Sequence, residues 1–325
     1  MDLPNKEHNP ERIEHLKNMG MLLILFFSLV GVIATTYKID QDETLRNNTA
    51  PLTSVSDPFQ QISLEAKAAV VWDVNQSKAL FTKNAETVLP LASLTKVMTA
   101  LVARESTSPT TIVVVDKNAL AEESDNGLFS NERWKLGDLL NLTLIASSND
   151  GAHAIANAIG GVSGEVSENQ PRKKFVDIMN RRGRELGLEK TFFINETGLD
   201  SSSDVAGAYG SAKDFTRLFE YVLRTHGDLL EVTRRDSFSV KSLSNLSHKV
   251  ENTNKNLAAI PLVIASKTGY TPLSGGNLVI ALDAGINRPI IITVLGSSYE
   301  GRFTDAEALA WATLEYFSSP SSQKP

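Results

Sequence analysis

The spacing of apolar residues divides the chain into an uncharged run, a polar stretch and a large region of mixed helix and strand patterns. Residues 19–37, MGMLLILFFSLVGVIATTY, carry no charge and are just long enough to cross a bilayer as a helix. Residues 38–57 are polar and lack periodicity, which predicts a flexible linker with a typical span of about 25 Å. We therefore expect one folded domain over 58–318 and a polar tail over 319–325.

Within the folded region, short strands are predicted near both ends, with helices between them. Residues 68–74 and 79–83 have strand composition around a turn and predict a hairpin, and 111–116 predict another strand. Apolar spacing and capping residues predict helices over 93–105, 138–146, 150–159, 171–186 and 211–224. The final third contains the β-rich runs FSVKS, LVIASKT, NLVIALDAG and PIIITVLGS, followed by the helical pattern TDAEALAWATLEYF. This order predicts an α+β fold, in which an antiparallel sheet from both ends of the domain is flanked by helices and carries a helical insertion.

The apolar run allows three interpretations: an uncleaved signal anchor, a cleaved signal peptide and a buried core helix. A core helix fits poorly because the run is apolar all round and has polar flanks. Val32 and Ala34 are small enough for a cleavage site, but the preceding region is long and mixed in charge rather than short and basic. We favour a single-pass anchor, with residues 1–18 as a cytoplasmic tail and the folded domain on the outer side of the membrane.

Composition excludes several classes of function. The 325-residue chain is 42% hydrophobic and 22% charged, which supports a substantial core. Its formal net charge of -6 gives no basic field for nucleic acid. The absence of cysteine excludes disulfides, thiolate metal sites and a cysteine nucleophile. The sequence has no H-E-x-x-H or other ligand-spaced cluster, and its glycines do not follow a strand in a dinucleotide-binding pattern. Neither a metal nor a cofactor is implied.

The stretch PLASLTKVMTAL places Ser93 three residues before Lys96, at a predicted helix start. Two residues at this spacing share a helix face. An uncharged lysine amine can accept a serine proton, provided that burial or a neighbouring cation lowers its pKa. A capping serine followed by a surface lysine fits the same four residues. The tail repeats the spacing at Ser321 and Lys324, so the pattern alone is not specific.

Two distant motifs add to this one. The segment IASSND places Ser147 and Asn149 between two predicted helices, where they could either cap a helix or face a cleft. The segment SKTGYT follows an apolar strand and presents Lys267, Thr268 and Gly269 at the strand end. The ordered set S-x-x-K, S-x-N and K-T-G is far more specific than any one of its members.

This set resembles the signature of the penicillin-interacting serine acyltransferases, a group that includes the penicillin-binding proteins and the class A β-lactamases. From about Ala68 to Phe317 the chain is similar to the serine D-alanyl-D-alanine carboxypeptidases, the low-molecular-weight penicillin-binding proteins. The matching segments include LASLTKVMTALVA, LTLIASSNDGAHAIA, FVDIMNRRGRELGLEKTFFINETGLD, NTN (252–254), SKTGYT and GRFTDAEAL. The resemblance implies a β-lactamase/transpeptidase-like fold.

The resemblance also implies a set of catalytic roles. Ser93 would attack the carbonyl of the penultimate D-alanine in a peptidoglycan stem peptide, and Lys96 would accept its proton. The backbone N–H groups of Ser93 and Tyr270 would form the oxyanion hole, and Ser147 would pass a proton to the departing D-alanine. Water would then hydrolyse the acyl-enzyme. β-Lactam antibiotics would act as covalent inhibitors.

The remaining residues would bind the substrate. Asn149 would hydrogen-bond the substrate amide and help to hold Lys96. Lys267 and Thr268, at a backbone edge that Gly269 leaves open, would bind the terminal carboxylate. Two lysines near one serine suit this chemistry because each cation disfavours the charge of the other. Arg302 is a further candidate for carboxylate recognition, although a solvated loop arginine fits the sequence equally well.

Other functions remain open at this point. D,D-endopeptidase action on peptidoglycan cross-links would use the same residues. Class A β-lactamases usually have Ser-Asp-Asn where this chain has Ser-Ser-Asn, and they need a glutamate that activates the deacylating water. Glu196 in INETGL is available, but its surroundings resemble the carboxypeptidase loop. A non-catalytic peptidoglycan-binding protein is a further alternative, against which the intact motif set argues. A membrane-bound scaffold, in which the anchor is the main feature, is another.

Overall fold

The structure is a computed structural model that describes residues 10–47, 57–121, 127–161 and 170–318. It divides into two compact units, Met1–Ser56 and Asp57–Pro325. The predictions for residues 1–9, for 48–56 and for the tail over 319–325 lie outside the described residues.

The first unit contains a single described helix, α1 (Pro10–Asn47). Its segment Lys17–Lys38 has a mean hydropathy of 2.3 and no buried portion. Among the described helices, α1 alone has the length and composition to span a membrane, as either an anchor or a signal sequence would. The helix extends to Asn47, ten residues into the predicted flexible linker. Extending an existing helix costs far less than nucleating one, and Gln, Glu, Leu and Arg in this stretch are good helix formers.

The second unit follows the predicted order of strands, helices and strands. Its first half contains β1 (Ala68–Asp73), β2 (Lys78–Lys83), β3 (Leu89–Pro90), α2 (Lys96–Ser106), β4 (Ile112–Val114), β5 (Arg133–Lys135), α3 (Leu136–Ile145), α4 (Asn149–Gly160) and α5 (Gln170–Glu185). Its second half contains β6 (Phe192–Phe193), β7 (Ala208–Gly210), α6 (Ala212–Thr225), α7 (Gly227–Glu231), β8 (Ser237–Lys241), β9 (Ser247–Glu251), β10 (Val263–Thr271), β11 (Gly275–Asp283), β12 (Pro289–Ser297) and α8 (Gly301–Ser318).

The main sheet joins the two ends of the domain, as predicted. Its strand order is β10-β11-β12-β1-β2, and all neighbouring strands are antiparallel. The central pairing sets Ala68 opposite Leu295 and Asp73 opposite Ile290. The predicted α+β architecture is confirmed, with the helices from α2 to α7 inserted between β2 and β10.

Hydrophobic cores cover both faces of this sheet. On β12, Ile291 and Leu295 belong to the larger core, which is formed with the inserted helices. Ile290, Ile292 and Val294 alternate with them and belong to the second core, which packs against α8. Successive side chains of a strand point to opposite faces. The run PIIITVLGS is therefore apolar at nearly every position because both of its faces are buried.

Candidate active site

The S-x-x-K pair lies at a tight turn rather than on one regular helix. Residues Ala92–Thr95 form a 3₁₀ turn, and α2 begins at Lys96 instead of at Ser93 as predicted. Ala92 has a φ of +49°, a backbone conformation that residues other than glycine rarely adopt. The turn still places the two side chains together, because Nζ of Lys96 lies 2.9 Å from Oγ of Ser93.

Lys96 is completely buried, and its amine contacts three oxygen atoms. Nζ lies 2.9 Å from Oγ of Ser93, 2.6 Å from Oδ1 of Asn149 and 2.8 Å from the carbonyl oxygen of Thr197. The amide and carbonyl oxygens only accept hydrogen bonds, whereas a hydroxyl can also donate. When the amine is neutral, Ser93 is thus the partner among these three that can direct a proton at its lone pair.

The segment from Ser147 to Asn149 caps a helix and also faces the cleft. Ser148 is the N-cap of α4, where its Oγ accepts a hydrogen bond of 3.0 Å from the N–H of Gly151. Ser147 precedes it with a φ of +59°. The capping interpretation therefore holds for Ser148, while Ser147 and Asn149 line the adjacent cavity.

Lys267 supplies a second buried amine from the middle of β10. Its Nζ donates hydrogen bonds of 2.8 Å to Oγ of Ser147 and to the carbonyl oxygen of Thr268. Burial, and then the nearby cations of Lys96 and Arg302, lower the pKa of Lys267 well below its ordinary value. The expectation that two lysines would disfavour each other's charge has a physical basis in this arrangement.

Gly269 allows β10 to lie directly against the Ser93 turn. A Cβ atom at this position would lie 3.0 Å from the carbonyl oxygen of Leu91 and 3.2 Å from Cβ of Ala92. Both distances are shorter than an ordinary carbon contact. This close approach brings the next residue, Tyr270, to the same cavity wall as Ser93.

Arg302 lies in the first turn of α8 and is only 4% exposed, so its interpretation as a solvated loop arginine is wrong. Its Nη1 donates a 2.9 Å hydrogen bond to the carbonyl oxygen of Gly269. The guanidinium carbon lies 4.4 Å from the ring centre of Tyr299 and 4.6 Å from that of Phe303. Burial lowers the pKa of Arg302.

A cavity of about 510 Å³ connects these elements. Its walls include Ser93, Ser147, Asn149, Thr268, Gly269, Tyr270 and Arg302, all of which were singled out from the sequence. The amines of Lys96 and Lys267 lie behind this wall and reach it through the two serines. The charged side chains among its described lining residues are Lys255 and Arg302, so the cavity suits a ligand with a carboxylate.

Several contributors to the site were not predicted from the sequence. Thr253 lines the cavity, and its Oγ1 lies 2.6 Å from Oγ1 of Thr268. Lys255 and Tyr299 line it as well. Thr197 contacts Lys96 through its backbone carbonyl, which no side-chain motif can reveal. For Thr253, the only signal was the similarity of the NTN segment to a family pattern.

Glu196 does not occupy the position that the β-lactamase alternative needs. Its side chain is 1% exposed, and Oε1 lies 2.8 Å from Nη2 of Arg172. It is not among the residues that line the cavity. Among the residues that the structure describes, no group of three or more His, Asp or Glu side chains is arranged to hold a metal ion.

Several known proteins are similar to this chain over most of its length. A family model described as D-alanyl-D-alanine carboxypeptidase matches residues 53–298. D-alanyl-D-alanine carboxypeptidase DacF of Bacillus subtilis is 30% identical over 244 residues, which cover 73% of this chain and 59% of DacF. The D-alanyl-D-alanine endopeptidase of Pseudomonas aeruginosa is 31% identical over 264 residues, which cover 76% of this chain and 75% of that protein.

Solved structures share the same fold. A mutant of the Streptomyces K15 DD-transpeptidase superposes with a TM-score of 0.69 at 22% identity, covering 78% of this chain and 100% of that one. Penicillin-binding protein D2 of Listeria monocytogenes, in an ampicillin-bound form, gives a TM-score of 0.63 at 27% identity and covers 78% and 98% of the two chains.

Proposed function

The chain belongs to the D-alanyl-D-alanine carboxypeptidase family, and from this premise we propose that it removes the terminal D-alanine of peptidoglycan stem peptides through an acyl-enzyme on Ser93. One observation carries the proposal: two serine hydroxyls at one cavity each contact a buried lysine amine. The pairs are Ser93 with Lys96 at 2.9 Å and Ser147 with Lys267 at 2.8 Å. A nucleophile with an adjacent base, and a second hydroxyl beside a cation, are the groups that acyl transfer requires.

In the acylation step, neutral Lys96 accepts the proton of Ser93 while Oγ attacks the carbonyl carbon of the penultimate D-alanine. The backbone N–H groups of Ser93 and Tyr270 would stabilise the oxyanion, a type of interaction that contributes much of the rate in acyl transfer. Ser147 then passes a proton to the departing amine nitrogen as the C–N bond breaks, and it takes a proton in return from the protonated Lys96. The step leaves an ester on Ser93 and releases D-alanine.

Recognition of the substrate would centre on its carboxylate. Lys267 and Thr268 would bind this group, with Arg302 as an additional cation behind Gly269. Asn149 would hydrogen-bond the substrate amide. Water then attacks the ester carbon, which releases the shortened peptide and restores the hydroxyl of the nucleophile.

β-Lactams would acylate the same serine. A related penicillin-binding protein from Listeria monocytogenes is known in ampicillin-bound and cefotaxime-bound forms, which supports this part of the proposal. Hydrolysis of β-lactams as a main activity is less well supported, because Glu196 is paired with Arg172. We further propose that α1 anchors the protein in the cell membrane, with the second unit on the periplasmic or cell-wall side.

A fluorescent penicillin tests the chemistry directly. We expect a covalent adduct with the purified protein and none with Ser93→Ala. The variant Ser321→Ala, which removes the serine of the other S-x-x-K sequence, is the matched control and should label like the wild type. An adduct that survives Ser93→Ala would overturn the assignment.

The reaction itself can be followed with purified muropeptides. Release of free D-alanine from pentapeptides supports the carboxypeptidase, whereas cleavage of cross-linked dimers without release of D-alanine would identify an endopeptidase. A truncated protein that begins near Ser56 should retain activity on soluble peptide but leave the membrane fraction. Retention of the truncated protein in membranes would contradict the anchor.

A further inference from the structure

The residue before Thr197, Glu196, forms an ion pair in which the carboxylate is buried and the partner, Arg172, is 29% exposed. Glu196 is 1% exposed, and its Oε1 lies 2.9 Å from Nε and 2.8 Å from Nη2 of Arg172. The same oxygen lies 3.9 Å from Nδ1 of His153, which is also buried. A carboxylate removed from water is stable only when it is paired and hydrogen-bonded. The mechanism proposed above assigns no role to this pair.

The backbone of Glu196 connects the pair to the site. Thr99, one turn after Lys96 on α2, donates from Oγ1 to the carbonyl oxygen of Glu196 at 2.6 Å. The next carbonyl oxygen, that of Thr197, accepts the 2.8 Å hydrogen bond from Nζ of Lys96. Two consecutive carbonyl groups are thus held against α2, and the second one contacts the base.

Helix α4 contacts both the proposed base and the ion pair. Asn149, its first residue, accepts a hydrogen bond from Lys96 at 2.6 Å. His153, one turn later, faces Glu196. Arg172 lies in the first turn of α5. The ion pair therefore connects the loop that contacts Lys96 to α5. The contact with His153 connects the same loop to α4, which itself contacts Lys96.

We propose that Glu196 and Arg172 form a positioning pair, which holds the Thr197 carbonyl against Lys96 and balances charge beside the base. This inference rests on the proposed function of Lys96 as the proton acceptor. If the pair only stabilised the fold, removal of its charge would lower stability and leave the pH dependence of acylation unchanged. If it acts on the base, the charge next to Lys96 determines how readily the lysine releases its proton.

The variants Glu196→Gln and Glu196→Gln with Arg172→Gln separate these cases. The single change removes the negative charge of the residue before Thr197, whose carbonyl contacts Lys96. The uncompensated positive charge of Arg172 then favours the neutral amine. The rate of acylation by a fluorescent penicillin should fall at low pH, where Lys96 is protonated. We expect this acid limb of the pH–rate profile to move to lower pH in the single variant. The double variant removes both charges and should return the limb to its wild-type position.

Loss of the Glu196 charge should also loosen the contact between the Thr197 carbonyl and Lys96. The rate on the pH-independent plateau should fall about 10- to 100-fold in both variants, because small displacements of catalytic groups are costly. The other buried titratable groups on elements around the base include Asp150, His153, Asp214, Lys267, Arg302 and Asp305. All of them are the same in each variant, so the comparison isolates the pair.

The matched control is the ion pair between Glu105 and Arg182. It joins α2 to α5, the helix that carries Arg172, at a distance of 2.8 Å but away from the cavity. Glu105→Gln should leave both the acid limb and the plateau at wild-type values. Thermal unfolding of every variant reports separately on the fold.

The proposal is overturned if folded Glu196→Gln keeps the wild-type plateau and acid limb, or if the double variant shows the same shift as the single variant. Failure of the proposed function gives a different result, since Ser93→Ala would then still form the penicillin adduct. The two failures are thus distinguishable in one set of experiments.

Discussion

Replacing Lys267 by methionine should make the protein more stable and less active. The ammonium is buried, and its repulsion by Arg302 adds to the cost of desolvation. Methionine has a similar length and no charge. The change therefore removes an unfavourable electrostatic interaction from the core while keeping most of the packing.

The size of the gain follows from two opposing quantities. Burying a charged group costs several kcal/mol in real proteins. The two hydrogen bonds of Lys267, to Ser147 and to the Thr268 carbonyl, return about 1 kcal/mol each. Because Ser147 lines the cavity, water can replace its lost partner. We expect a net gain of about 1–2 kcal/mol, which raises Tm by about 2–8 °C in a domain of this size.

The gain should depend on pH. The pKa of Lys267 is lowered in the folded protein, so between that value and the ordinary value of 10.5 the unfolded chain binds more protons than the folded one. The stability of the wild type therefore rises with pH in this interval. The difference in Tm between Lys267→Met and the wild type should shrink as the pH approaches 10.5.

Calorimetry and penicillin labelling check the two halves of this prediction. Labelling should become at least about 100-fold slower, since a cation aimed at the carboxylate and at Ser147 is lost. Lys241→Met, at an exposed position on β8, should change neither quantity appreciably. A lower Tm in Lys267→Met than in the wild type would refute the reasoning, because it would mean that the buried amine stabilises the fold.

Three further substitutions give separate tests. Gly198→Ala should abolish labelling and lower Tm, because its Cβ would lie 1.9 Å from the carbonyl oxygen of Ala92, a severe clash, and Gly198 has a φ of +81°. Labelling at the wild-type rate would contradict this. Thr253→Val removes the 2.6 Å contact with Thr268 and should reduce kcat/KM on a pentapeptide about 2- to 10-fold, as expected for one hydrogen bond; an unchanged kcat/KM would show that the contact is dispensable. Arg302→Lys keeps the charge but loses the planar contacts with two rings and a carbonyl, so we expect kcat/KM to fall about 10- to 100-fold; full activity would show that a cation alone is sufficient.

The spacing of apolar residues and the composition of each segment were enough to predict the main sheet and most of the helices. The continuous apolar runs of β10, β11 and β12 indicate strands with two buried faces, and the structure pairs them in one sheet. The S-x-x-K, S-x-N and K-T-G segments, which are far apart in the sequence, line one cavity or contact its wall. Their specificity came from their order and not from the chemistry of any one segment.

Other features could not be predicted, for physical reasons. The Thr197 carbonyl that contacts Lys96 belongs to the backbone, which every residue has. Burial of Arg302 depends on the aromatic ring of Tyr299 and on the edge of β10, neither of which the local sequence reveals. The helix α1 continues past its apolar segment to Asn47 because propagation depends on the helix already formed, not on apolar periodicity.

Two residues at the cleft have unfavourable backbone conformations. Ala92 and Ser147 have positive φ values of +49° and +59°, and such conformations cost about 1–3 kcal/mol each. They persist because the surrounding chain constrains them. Gly198 approaches the Ser93 turn more closely than any residue with a Cβ could, and a Cβ at Gly269 would meet the same turn at only 3.0–3.2 Å. The strand and the loop thus together fix the turn. The precision of the site thus depends as much on these two glycines as on the catalytic side chains, and substitutions at either should impair acylation even though neither supplies a reacting group.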